Sequence, residues 1–123
     1  MYRIRVESEF AAAHFLSHYH GKCERLHGHN YLVRLWARSD LLNEGGMVAD
    51  FALLKDALRK VCKTLDHTHL NDHDFFAGDP SSERIAFYIY HEVVKILPPE
   101  IAEFVSAVDV FETPGSMARY EKA

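Results

Sequence analysis

A chain of 123 residues with 18 acidic and 14 basic side chains, formal charge −4, has room for one ordinary domain with a true core and lacks the basic stripe that marks a nucleic-acid binder. Nothing in it approaches the ~20 consecutive apolar residues needed to span a bilayer, and Met1 to His20 lacks the basic-then-apolar order of a signal peptide. The compartment expected is therefore the cytoplasm, where Cys23 and Cys62, which permit one disulfide at most, both stay reduced.

Tyr2 to His14 alternates, with Tyr2, Ile4, Val6, Phe10, Ala12 and His14 on one side and Arg3, Arg5, Glu7 and Glu9 on the other. That period of two predicts a half-buried strand. The polar stretch His18 to Lys22 reads as a loop, and His29 to Arg38 alternates again, with His29, Tyr31, Val33, Leu35 and Ala37 sharing a face. The opposite face of this second strand carries Leu32 and Trp36 among arginines, so it is partly apolar and is expected to be covered by a partner subunit or a folded-over loop.

Asp50 is placed to cap a helix whose stripe is Phe51, Leu54, Leu58, Val61 and Leu65. After an Asp- and Gly-rich loop, Ser81 or Ser82 caps a second helix with the stripe Ala86, Ile89, Tyr90, Val93 and Leu97, stopped by Pro98-Pro99. Phe104 to Glu112 reads as a third strand, and Met117 to Glu121 as a fourth beyond the Pro114-Gly115 turn. The order strand, strand, helix, helix, strand, strand predicts an α+β domain over residues 1–123, with a four-stranded antiparallel sheet and two helices on one face.

Nine histidines is a high count, and their placement carries the chemistry. His27 and His29 are two apart and point the same way from a strand. His14 ends the preceding strand, and antiparallel pairing brings it toward both. Three converging imidazoles leave one position open on a tetrahedral Zn²⁺, the arrangement of a catalytic rather than a structural site. Cys23, four residues before His27, must lie near any such metal. It either closes the shell as a fourth ligand, giving a non-catalytic zinc-binding module, or stays free as a proton acceptor. His18, His20, His69, His73 and His91 read as solvated or locally bonded.

Asp66 and His67 close the first helix pattern, where a histidine is also favoured by the helix dipole alone. Glu112 continues an apolar strand face, so its carboxylate needs a partner, and a ligand offering two N–H donors would serve. Glu83 has a sufficient explanation as a first-turn carboxylate.

Taken in order, Phe10-Ala11-Ala12-Ala13-His14, Lys22-Cys23-Glu24-Arg25-Leu26-His27-Gly28-His29-Asn30-Tyr31, Met47 to Phe51, Leu65 to Asn71, Pro80-Ser81-Ser82-Glu83 and Glu112-Thr113 resemble the 6-pyruvoyl-tetrahydropterin synthase family across nearly the whole chain. The resemblance implies a tunnelling fold, in which sheets of several subunits close into a barrel, with a hexamer of two trimers as the assembly. It implies zinc on His14, His27 and His29, and acid/base roles for Cys23, Asp66 and His67. It also implies that Glu112 anchors the pterin ring, whose 2-amino group and ring N–H form a fork suited to a carboxylate, with Ser81, Ser82 and Glu83 near the ring at a subunit interface. Ser81 stands where family members usually carry Thr, which keeps the hydroxyl.

Only Glu24-Arg25-Leu26 separate Cys23 from His27. This short spacing resembles the bacterial branch that forms a 6-carboxy pterin and supplies the route to queuosine. In members forming the pyruvoyl product the cysteine stands further ahead of His-Gly-His. The reaction so implied acts on dihydroneopterin triphosphate and releases acetaldehyde and triphosphate. Triphosphate elimination without carbon loss is the alternative.

Overall fold

The computed structural model describes residues 1–14 and 27–123, and of His27 the backbone alone. Strands β1 (Tyr2–His14) and β2 (His27–Ser39) form a long antiparallel pair, with Tyr2 opposite Ser39 at one end and His14 opposite His27 at the other. The β2 strand thus begins two residues earlier than its alternation indicates. Helix α1 (Phe51–Leu65) follows, its first turn capped by Asp50, whose Oδ1 accepts from Ala52 N–H at 2.8 Å. Its buried stripe is Leu54, Ala57, Leu58, Val61, Cys62 and Leu65. Phe51 does not join it and is 56% exposed.

After α1 the chain makes a two-residue strand, β3 (Thr68–His69), parallel to β1 with Ala12 opposite Thr68. Two short 3-10 turns follow, Leu70–Asp72 and Asp74–Phe76. Helix α2 (Ser82–Ile96) is capped by Ser81, whose Oγ accepts from Arg84 N–H at 3.2 Å; all five residues of its expected stripe are buried. A one-turn helix, α3 (Pro99–Ala102), precedes β4 (Val105–Thr113) and β5 (Ser116–Glu121).

The sheet order is β3-β1-β2-β4-β5. The fold is α+β as expected, but the described residues form five strands and three helices rather than four and two. Both additions are too short for periodicity to reveal. The β3 strand is tied to β1 by His67 N–H donating to Ala11 O at 2.6 Å. The proline pair does end α2, and Pro99 then opens α3 at a position where its missing N–H costs nothing.

Helix α1 packs on β1, and α2 on β4 and β5. Beneath them lie Phe10, Tyr31, Val33, Leu35, Val108 and Val110, each 2% exposed or less. The opposite sheet face is a lattice of arginines over aromatic rings. Trp36 lies between Arg5 and Arg119, whose guanidinium carbons are 5.7 and 5.5 Å from the ring centre, a cation–π arrangement. Its Nε1–H donates to Asp109 Oδ2 at 2.8 Å, while Arg119 grips the same carboxylate at 2.6 and 3.1 Å. That fork pushes the Arg119 pKa up and lets Asp109 sit only 2% exposed. None of the described helices is long and apolar enough to cross a membrane.

Candidate functional site

Strand alternation delivers the site residues. His14 ends the core-facing stripe of β1 and is 2% exposed. His29 stands opposite Ala12 on β2, one step inward from the His14–His27 pair. The His14 and His29 rings are 5.2 Å apart, centre to centre. From the far side of β2, Glu112 comes off β4 one residue past the Leu32–Phe111 pair and reaches both imidazoles. Its Oε1 is 2.8 Å from His29 Nε2 and 3.9 Å from His14 Nε2. Ser82 Oγ, at the start of α2, donates to its other oxygen at 3.3 Å.

One ligand-capable atom from each of His14, His29 and Glu112 lies within 4.8 Å of the other two. Imidazole nitrogens and a carboxylate oxygen are donors that suit Zn²⁺ and related divalent ions. The strands that carry them are paired side by side in one sheet, and the carboxylate draws positive charge to the place where a cation would sit. The donor set therefore fits a metal. The side chains of Cys23 and His27 lie outside the described residues.

Beside this cluster opens a hollow of about 440 Å³, lined by the alanines of β1, by Gly28, His29 and Asn30, and by His67 and Thr68. His67 thus faces the same space as His29. Its neighbour Asp66 sits at the C-cap of α1, where the helix dipole disfavours a carboxylate. The compensation is specific. Asp66 Oδ1 accepts from Ala11 N–H at 2.9 Å and Oδ2 lies 2.9 Å from His67 Nδ1. The Ala11 hydrogen bond, and then the imidazole, hold the Asp66 carboxyl below its ordinary range. His67 has φ of 56°, a left-handed conformation uncommon outside glycine, although histidine takes it more readily than most residues. Strain of this kind collects at functional positions. Here it turns the ring outward, 83% exposed, with Nδ1 on Asp66 and Nε2 left for another partner.

The remaining candidates divide. Ser82 touches Glu112, whereas Ser81 is occupied as the α2 cap, and Glu83 is exposed in the first turn. His73 is locally bonded, its Nε2 3.1 Å from Thr68 Oγ1. Two contacts escaped the sequence reading. Glu112 stands against the histidines themselves, which strand order alone could have suggested once β4 was placed beside β2. Tyr31 places its hydroxyl on His14 Nδ1, although its position two residues past His29 made it look like core and nothing more.

Residues 3–123 match the profile of the 6-pyruvoyl tetrahydropterin synthase family. The chain is 42% identical to the 6-carboxy-5,6,7,8-tetrahydropterin synthase of Synechocystis, covering 98% of this chain and 93% of that one. It is 34% identical to the protein of the same name from Bacillus subtilis, over 97% and 84% of the two chains. Among solved structures it resembles the 6-pyruvoyl tetrahydropterin synthase of Caenorhabditis elegans, with a TM-score of 0.87 at 28% identity and coverage of 99% and 96%.

Proposed function

Since the chain belongs to the 6-pyruvoyl tetrahydropterin synthase family, we propose that it converts 7,8-dihydroneopterin triphosphate and water to 6-carboxytetrahydropterin, acetaldehyde and triphosphate. The observation that carries this reading is the meeting of His14, His29 and Glu112, with His29 and His67 lining one hollow beside them. The short interval between Cys23 and His27 and the names of the Synechocystis and Bacillus relatives favour the carboxy-forming branch.

His14, His27 and His29 would hold zinc, which would supply the Lewis acidity that makes hydroxyl groups of the substrate side chain easier to deprotonate. The protein's own residues do the rest. Glu112 accepts the pterin's 2-amino and ring N–H donors, which fixes the ring and aims the three-carbon side chain at the histidines. Ser82 orients that carboxylate through its hydroxyl, and Ser81 and Glu83 border the ring from the start of α2. His67 takes the proton of a side-chain hydroxyl on Nε2, because Asp66 engages Nδ1 and stabilises the imidazolium that forms. Cys23 moves a proton at the carbon next to the ring. Cleavage of the side chain in a retro-aldol sense, with loss of triphosphate, then leaves a one-carbon carboxylate on the ring.

The sheets of several subunits close into a barrel in this reading, as a hexamer of two trimers in the cytoplasm. The sheet face that carries Leu32, Trp36 and Phe111 among half-exposed arginines supports such an assembly, because it is partly apolar and offers rings and charges to a partner.

The structural likeness to the nematode 6-pyruvoyl tetrahydropterin synthase favours a second reading, elimination of triphosphate with all three side-chain carbons retained. Incubating zinc-loaded protein with dihydroneopterin triphosphate decides between them. Acetaldehyde together with a 6-carboxy pterin is the expected result, and triphosphate without acetaldehyde moves the assignment to the pyruvoyl reaction. Zinc bound at one per chain with no turnover would overturn both.

A further inference from the structure

The two ring nitrogens of His14 have different surroundings. Nε2 faces the cluster, 3.9 Å from Glu112 Oε1, whereas Nδ1 is in hydrogen-bond contact with the hydroxyl of Tyr31. Tyr31 is 0% exposed, so its ring has no freedom to swing away. Phe10, its register partner on β1, stacks against it with centroids 4.8 Å apart and planes 15° from parallel. On its other flank the ring meets His29 edge-on at 5.6 Å. One clamped phenol thus touches both described imidazoles of the cluster and hydrogen-bonds one of them.

A neutral imidazole carries one proton, and the nitrogen that holds it cannot bind a metal. For His14 to bind a cation through Nε2, the proton must sit on Nδ1, and a group there must accept it. The phenol oxygen is such an acceptor. We propose that Tyr31 is the positioning residue of the metal centre: by accepting the Nδ1 proton it fixes the orientation and tautomer in which only Nε2 of His14 is offered to the ion. This inference rests on the reading of His14 as a metal ligand and adds the residue that makes it one. Partners of this kind typically contribute ten- to a hundredfold in metal affinity, because they remove the wrong ring orientations from competition.

The test substitutes Tyr31→Phe, which keeps the ring, the Phe10 stack and the volume, and removes only the hydroxyl. Zinc affinity of wild type and variant is measured by competition with a chromophoric chelator, on protein whose fold is checked by circular dichroism. The expected result is a loss of about ten- to a hundredfold in affinity. The same substitution made in a His14→Ala background separates positioning from general loosening. If Tyr31 acts through His14, its removal there leaves zinc affinity unchanged, whereas a merely structural role lowers affinity by the same factor in both backgrounds. Ring ¹⁵N shifts of His14 in the zinc-loaded wild type should show Nε2 coordinated and Nδ1 protonated. Equal zinc affinity of wild type and Tyr31→Phe overturns the proposal and leaves the metal reading intact. Wild type that takes up no zinc overturns the metal reading, and the proposal with it.

Discussion

Oε1 of Glu112 lies 2.8 Å from Nε2 of His29, although the two residues are 83 positions apart in sequence and belong to strands that meet only because β4 returns to pair with β2. The carboxylate can meet a cation on one side and N–H donors on the other. Its second oxygen, held by Ser82 Oγ at 3.3 Å, is the one turned from the histidines toward α2.

Glu112→Gln separates these uses. The amide keeps one acceptor oxygen and loses the charge, so if Glu112 anchors the substrate ring, zinc content stays near that of wild type. KM for dihydroneopterin triphosphate then rises by roughly ten- to a hundredfold, the equivalent of one charge-assisted hydrogen bond. Metal analysis alongside steady-state kinetics checks this. Loss of zinc with the substitution would make Glu112 a ligand instead.

Asp66→Asn probes the dyad, and pH gives it a second readout. The folded-state pKa of Asp66 is lowered from 3.8, so its ionised form stabilises the fold at pH values above that figure, and the contribution disappears as pH falls through the lower folded value. Wild type should therefore exceed Asp66→Asn in melting temperature at pH 7, and the gap should close below pH 3.8. Turnover should fall at every pH, because the amide no longer stabilises a charged His67.

The two cysteines should differ in reactivity. Burial pushes the Cys62 thiol up to about 12, so in the native protein at pH 8 it should resist iodoacetamide and become labelled only after unfolding. Mass spectrometry of the alkylated chain reads this directly. Cys23→Ala should abolish turnover and leave zinc bound; a variant that loses its zinc would make the thiol a ligand.

Asp109→Ala tests the uncovered sheet face. It leaves the Trp36 N–H without its acceptor and the Arg119 charge without its fork. Arg119 is 39% exposed and regains water, so the cost is mainly the lost hydrogen bonds, about 1–2 kcal/mol. Urea denaturation should show a loss of that order. Size-exclusion chromatography should show weaker association if this face lies between subunits.

Much of this was legible from residue order. The stripe on α2 and the capping of α1 by Asp50 follow from periods of 3.6 and from cap chemistry, which operate over neighbouring residues. The convergence of His14 and His29 needed one further assumption, that the first two strands pair antiparallel, and a connection as short as theirs makes that reasonable. What stayed hidden has a common cause. The β3 strand is two residues held by hydrogen bonds to Ala11 and its neighbours, and no pattern fits in two residues. Phe51 counted as core because periodicity knows nothing of what packs against the helix. Tyr31 has the signature of a packed aromatic, and only its partner reveals the hydroxyl's use. Asp109 interrupts an apolar run, and its burial depends on Trp36 and Arg119, which come from different strands.

His14, His29, His67, Ser82 and Glu112 come from β1, β2, the junction after α1, the start of α2 and β4, an interval of nearly a hundred residues. No single element contains the site, and separating β1, β2, β4 or the start of α2 from the others disperses it. Whatever binds there binds the native state alone, so occupancy must raise the melting temperature in proportion to the logarithm of ligand concentration. A thermal shift series with zinc, pterins or their phosphates therefore measures recognition without any turnover, and it ranks ligands for this protein before its chemistry is assayed.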